Sequence, residues 1–126
     1  MAPTHSIHID HARKLVDVRM AGFYTAEDLS WAGEDVRAAI NTLGDDAGQH
    51  VTLYDVSDVQ VAPQATVEAL KETLANPVVR RMWARKVAYV TPSALGRLQL
   101  LRLREVRPDI EVFEDRETAL AWLLAE

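Results

Sequence analysis

Over residues 6–10, Ile7 and Ile9 alternate with His8 and Asp10, the period-two signature of a strand with one buried face. After the short polar stretch 11–14, Leu15, Val16, Val18 and Met20 supply a second strand. So short a connection forces the two strands antiparallel, and the chain is predicted to open with a hairpin that ends at Gly22. The period then changes. Leu29, Ala32, Val36, Ile40 and Leu43 recur at helical spacing behind Thr25 as N-cap, with Glu27 and Asp28 in the first turn and Gly44 as the stop.

The same alternation of signals continues to the end of the chain. Val51-Thr52-Leu53-Tyr54 predicts a third strand running into Asp55, and Pro63 opens a helix carrying Val67, Leu70 and Leu74 that ends near Asn76-Pro77. The unbroken apolar run Val87-Ala88-Tyr89-Val90 fits a strand covered on both faces. Ser93 caps a third helix expected to reach about Val106, Ile110-Glu111-Val112-Phe113 forms the last strand, and Asp115 caps a last helix carrying Ala119, Leu120, Leu123 and Leu124. The order is ββαβαβαβα. Strands separated by whole helices pair in parallel through right-handed crossovers. The expected fold class is therefore α/β: a mixed, mostly parallel sheet with an N-terminal β-hairpin and about four helices, in a single domain over residues 1–126.

Composition narrows the function more than the fold. With 48% hydrophobic and 26% charged residues the chain is of ordinary globular type. Nineteen acids against fourteen bases leave a net charge of -5, which argues against nucleic-acid binding. The absence of cysteine removes disulfides, thiol nucleophiles and thiolate metal sites. No apolar run approaches a transmembrane length and the N-terminus carries no signal core, so a cytoplasmic location is expected.

Several local features carry a resemblance: Gly22 before the first helix, Tyr54-Asp55-Val56-Ser57 ending the third strand, Lys86-Val87-Ala88 opening the fourth, and the tail from Val112-Phe113-Glu114-Asp115 to Ala121-Trp122-Leu123. With the element order, these make the chain similar to the STAS superfamily, and in particular to small stand-alone bacterial SpoIIAA-like proteins of STAS/CRAL-TRIO type. The resemblance implies a SpoIIAA-like fold used as a binding or partner-switching module rather than an enzyme. In the anti-sigma-factor antagonists of that superfamily a serine at the next helix's N-terminus is phosphorylated. Here that position falls at about Gln64 or Ala65, which cannot take a phosphate in that way, with Thr66 only a shifted substitute. A phosphoserine switch is therefore not expected.

Chemistry-bearing clusters are sparse. His5, His8 and His11 lie on a strand and its flanks, so His8 faces away from the other two and no metal site is expected. Asp55, Ser57 and Asp58 fall at a strand's carboxyl end, where α/β proteins place their sites, and are polar candidates; capping roles compete with that reading. No nucleophile elbow, Walker loop, dinucleotide fingerprint or zinc-protease motif occurs, and no cofactor or catalytic residue is assigned.

The charge is unevenly spread. Residues 78–107 carry eight bases and the single acid Glu105, while both flanks are acidic. Such a block either pairs internally or meets an anionic partner. In the third helix, Leu95, Leu98 and Val106 share one side and are expected to face the sheet, leaving Leu100 and Leu101 outward beside Arg97 and Arg104. Trp31 projects away from the first helix's apolar stripe, and Phe23 and Tyr24 precede that helix above the sheet. Trp31, Arg97, Leu100, Leu101, Arg104, Phe23 and Tyr24 are therefore the ligand- or partner-binding candidates.

These features converge on a non-enzymatic domain, expected to be a homodimer, that binds a small amphipathic or lipid-like ligand at an apolar and basic surface. A regulatory protein-interaction module without a ligand is the alternative, and a small enzyme using the strand-end carboxylates the third reading. Peripheral membrane contact is left open.

Overall fold

A computed structural model describes residues 2–125. Among these residues β1 (Thr4–Asp10) and β2 (Leu15–Gly22) form the hairpin, followed by α1 (Ala26–Asn41), β3 (Val51–Val59), α2 (Gln64–Ala75), α3 (Pro77–Arg80), β4 (Lys86–Val90), α4 (Ala94–Leu101), β5 (Glu111–Phe113) and α5 (Arg116–Leu124). Short 3-10 turns occupy Gly44–Asp46 and Arg102–Glu105. The sheet runs β1-β2-β3-β4-β5 in spatial as in chain order. Only β1 is antiparallel to its neighbour, with Ile7 opposite Val18; the other pairs are parallel.

Each crossover from β2 onward steps in the same direction, and right-handedness therefore sends every connecting helix to one face. α1 packs on Val16 and Val18, while Leu100, Leu101 and Leu103 pack with Tyr89, Val112 and Ile110. α5 covers the other face alone: Ala119 and Leu123 lie on Leu15, Val51, Leu53, Ala88 and Val90. The β4 run is buried on both faces, as its unbroken apolar sequence requires. Leu53, Leu103, Ile110 and Leu123 are among the largest fully buried side chains, each worth about 1.5–3 kcal/mol of burial.

The expected caps are in place. Thr25 Oγ1 accepts from the Asp28 N–H at 3.2 Å while Asp28 Oδ2 accepts from the Thr25 N–H at 3.1 Å, a reciprocal capping box. Ser93 Oγ accepts from the Gly96 N–H at 3.0 Å and Asp115 Oδ1 from the Thr118 N–H at 2.8 Å. Gly22 has φ +99°, and a Cβ there would lie 2.7 Å from the Ala2 carbonyl oxygen, so this turn requires glycine.

Two expectations change. A fifth helix, α3, follows because Asn76 ends α2 and its side chain accepts from the Val78 N–H, capping a new turn that starts at Pro77. The third expected helix passes from α to 3-10 geometry at Arg102 and runs to Glu105, close to the expected end, but its inward face is not the expected one. Leu95 and Leu98 are 55% and 62% exposed, whereas Leu100 and Leu101 pack into the core. Gly96 decides the orientation. A Cβ on it would lie 3.1 Å from Thr91 Oγ1, so the helix approaches the end of β4 on its glycine side, which brings Leu100 and Leu103 inward.

Candidate functional site

The helical face of the sheet is not close-packed. α2 touches α1, α3 and the 102–105 turn more than the strands beneath it, and a cavity of about 230 Å³ lies between them. Its floor is Thr52, Tyr54 and Val56 of β3 with Val87 and Tyr89 of β4. α1 walls one side with Ala32, Val36 and Ile40, Leu100 and Leu103 wall the other, and Val67, Leu70 and Leu74 of α2 form the roof. Residues 59–62, Ser93 and Gly96 line one end of it, and Trp83, Ala84 and Arg107 the other.

Tyr54 and Tyr89 face each other in the parallel register of β3 and β4, and their rings stack at 5.0 Å between centroids, inclined by 17°. Tyr24 also lines the cavity, but its hydroxyl donates to the Thr4 carbonyl at 2.6 Å. Among the described residues neither the Tyr54 nor the Tyr89 hydroxyl is engaged, and neither is sealed off, so both open on the cavity. Burial pushes the Tyr54 phenol up to about 12, with the Arg107 and Arg37 charges pulling the other way. Burial pushes Tyr89 up further, reinforced by Tyr54 and opposed by Arg107. Both are neutral hydroxyl donors at physiological pH.

Arg107 is 3% exposed. Its Nε donates to Asp109 Oδ1 at 2.9 Å, its Nη2 reaches the Ala84 carbonyl, and its guanidinium lies 4.6 Å from the centre of the Trp83 ring. Nη1 has no partner among the described residues. Two more buried N–H groups lie near this end: Trp83 Nε1 and His50 Nε2 are both without partners among the described residues. His50 is fully buried, its Nδ1 accepts from the Gly48 N–H at 3.0 Å, and burial, aided by the Arg107 charge, holds the imidazole below its ordinary range.

The residues singled out from sequence do not converge on one site. Tyr24 and Leu100 line the cavity, so Leu100 is a wall residue and not an outward one; Leu101 is likewise partly buried in the core beside it. Phe23 is half-buried away from the cavity and Trp31 is 64% exposed on α1. Arg97 and Arg104 are committed elsewhere. Arg97 Nη1 donates to the Val112 carbonyl and Arg104 Nε to the Ile110 carbonyl, each at 2.8 Å. These carbonyls face away from β4, so the two arginines cover the free edge of β5, a recognised defence against edge-to-edge pairing.

Asp55 is held by Arg116 at 3.1 Å, and Arg116 also grips Asp17 at 2.6 Å, so this triad fastens the start of α5 to the sheet. Burial alone would raise the Asp55 carboxyl, but hydrogen bonds from Ser57 and Arg116 more than offset it and hold it below the ordinary range. Ser57 donates its N–H to Asp55, and Asp58 lies apart, beside Arg19 at the β1 edge. Thr66 is buried, and its hydroxyl donates to the Tyr24 carbonyl at 3.0 Å, which removes it as a modification site.

The basic block is largely paired within the chain. Lys86, Arg97, Arg102, Arg104 and Arg107 all donate to acceptors of this protein, and Arg80 stacks over Trp83. Among the described residues no group of three or more histidine or carboxylate side chains could hold a metal ion, and no helix is long and apolar enough to cross a membrane.

The family model for SpoIIAA-like proteins matches residues 15–124 of this sequence. The chain belongs to the SpoIIAA-like family. Among solved structures, an uncharacterised Shewanella loihica protein with a SpoIIAA-like fold is similar, with a TM-score of 0.68 over 98% of this chain and 96% of that one at 17% identity. At that identity the likeness extends to the fold. No curated protein matches the sequence.

Tyr54, Tyr89 and Arg107 were not singled out from the SpoIIAA-like sequence. Their signal was available in part. Two tyrosines at equivalent places in adjacent parallel strands share a face once the strands are aligned. Arg107 carries no comparable mark, since it lies in a charged block where an exposed arginine is the ordinary expectation.

Proposed function

We propose that this SpoIIAA-like protein is a non-enzymatic cytoplasmic binding domain that holds a small amphipathic molecule between its sheet and α2. The observation that carries this reading is the cavity: about 230 Å³ with apolar walls and unengaged tyrosine hydroxyls on its floor. Were a volume of that size closed and dry, it would forgo up to about 5 kcal/mol of packing, comparable with the whole net stability of a domain. A chain that keeps such space open, instead of filling it with larger side chains, has a reason to do so outside folding.

Native mass spectrometry of freshly purified protein, repeated after denaturation, tests the reading. Extra mass that disappears on denaturation is the expected result. A clean apo mass, with no small amphiphile raising the melting temperature, would overturn it.

The second reading, a protein-interaction module, is favoured by Trp31, Leu95 and Leu98, which are large, apolar and exposed. A homodimer seam, if formed by α4, uses Leu95 and Leu98, because Leu100 and Leu101 are turned to the core. Leu98→Glu is then expected to yield a soluble monomer, and an unchanged mass in solution would remove α4 from the seam.

A further inference from the structure

The charge lining the cavity has one sign. The protein carries nineteen acids and a net charge of -5, yet among the described residues no aspartate or glutamate lines the cavity, and its only charged groups are Arg37 and Arg107. Arg107 is anchored by the Ala84 carbonyl and by Asp109. Buried Arg107 is thus paired with an exposed carboxylate on one side, and its Nη1, without a partner among the described residues, is the donor left for a ligand. Tyr54 and Tyr89, whose hydroxyls have no partner among the described residues, line the same cavity as Arg107. A phenol donates one hydrogen bond and a guanidinium N–H another, and a carboxylate accepts them on two oxygens. The remaining walls are mostly apolar, with Thr52, Thr66 and Gln99 among their polar members.

We infer that the ligand is a medium-chain carboxylic acid, bound as its carboxylate at Arg107, Tyr54 and Tyr89 with its alkyl chain along the apolar cavity under α2. This rests on the ligand-binding reading and specifies its chemistry. At the packing density of protein interiors the cavity holds about ten non-hydrogen atoms, the size of octanoate. A sixteen-carbon acid is too long to be enclosed. An alkylammonium is rejected by the two arginines, and an alcohol of the same length uses the walls but brings no charge to Arg107 and one oxygen where a carboxylate brings two.

Titration of the delipidated full-length protein with octanoate, octan-1-ol, octylammonium and octyl phosphate, followed calorimetrically, tests the assignment. Octanoate is expected to bind at least tenfold more tightly than octan-1-ol, with octylammonium silent and octyl phosphate weaker than octanoate. Hexanoate, two methylenes shorter, is expected to lose about tenfold. Tyr54→Phe/Tyr89→Phe should lower octanoate affinity at least fivefold without lowering the melting temperature, since neither hydroxyl bonds to the protein. Equal binding of octan-1-ol and octanoate overturns the carboxylate assignment but leaves an apolar ligand site standing, as does an unchanged affinity in the double variant. Tighter binding of octyl phosphate replaces the carboxylate by a phosphate monoester. Failure of every probe, with an apo mass from cells, overturns the ligand-binding reading itself. The probe series needs no variant, so the assignment is decided even if the tyrosine substitutions disturb folding.

Discussion

A larger side chain placed in the space beneath α2 should stabilise the protein. Leu70 is half-buried on α2 and points into the cavity from above. Leu70→Trp adds about 60 Å³ of side chain, which at about 24 cal/mol per Å³ of cavity filled corresponds to about 1.4 kcal/mol. For 126 residues the unfolding entropy is about 0.26 kcal/mol per degree, so the melting temperature should rise by about 5 °C. This is an upper figure, because the indole must find a staggered rotamer and its N–H a partner. Differential scanning calorimetry of the apo proteins reads the change directly. The same substitution removes about a quarter of the space, and a ligand that fills the cavity should lose at least tenfold in affinity. A melting temperature lower by several degrees would refute the reasoning, since it would mean that α2 already packs on the strands and the added ring is forced into occupied volume.

Arg116→Met leaves Asp17 and Asp55 facing each other without their cation, and because both are mostly buried the loss at pH 7 should be about 2–3 kcal/mol in urea unfolding. In the wild type the depressed Asp55 carboxyl contributes stability above its unfolded value that fades as pH falls through the folded one. In the variant the paired carboxylates favour protonation, so the gap between the two proteins should narrow from pH 7 to pH 5; a constant gap would rule the triad out as the source. His50 is depressed in the folded state, so its contribution is complete above its unfolded value and fades as pH falls. His50→Gln should flatten the loss of stability between pH 7 and pH 5.5, and an unaltered slope would show that another group titrates there. Gly96→Val should cost about 1–3 kcal/mol by pushing α4 from Thr91, read as a lower denaturant midpoint. Arg97→Ala/Arg104→Ala bares two edge carbonyls of β5 and should raise concentration-dependent association by light scattering; an unchanged association would mean that edge is protected by other means.

The fold was legible because its cues are local. Ile7 and Ile9 against His8 and Asp10 mark an edge strand, Val87–Val90 a strand buried twice, and Thr25, Ser93 and Asp115 all cap the helices they precede. α4 was misread because leucine was weighed as the inward residue, when the glycine between Leu95 and Arg97 sets how closely the helix meets the sheet. The site was hidden for a related reason. A cavity is a property of what does not touch, and Tyr54, Tyr89 and Arg107 read in sequence as two core aromatics and one more surface cation. The carboxylates at the strand ends stood out in sequence because charged residues do; Asp55 turns out to fasten α5 and to cap the turn at Ser57, while Asp58 lies apart. Of the two readings open for the basic block, internal pairing is the one its contacts favour, since five of its members donate to acceptors of this chain.

The spatial order of the strands is also the order in which a ribosome delivers them. Each strand from β2 onward can add beside one already made, and its connecting helix covers the same face as the helix before. The opposite face has no such running cover. Leu15, Val51, Leu53, Ala88 and Val90 wait for Ala119 and Leu123, which emerge last. A chain cut before Arg116 would keep every strand and lose one whole side of its core. The roughly two and a half turns of α5 are thus the step that covers a half-shielded sheet, and truncation within them should be far less tolerated than changes at the N-terminal hairpin.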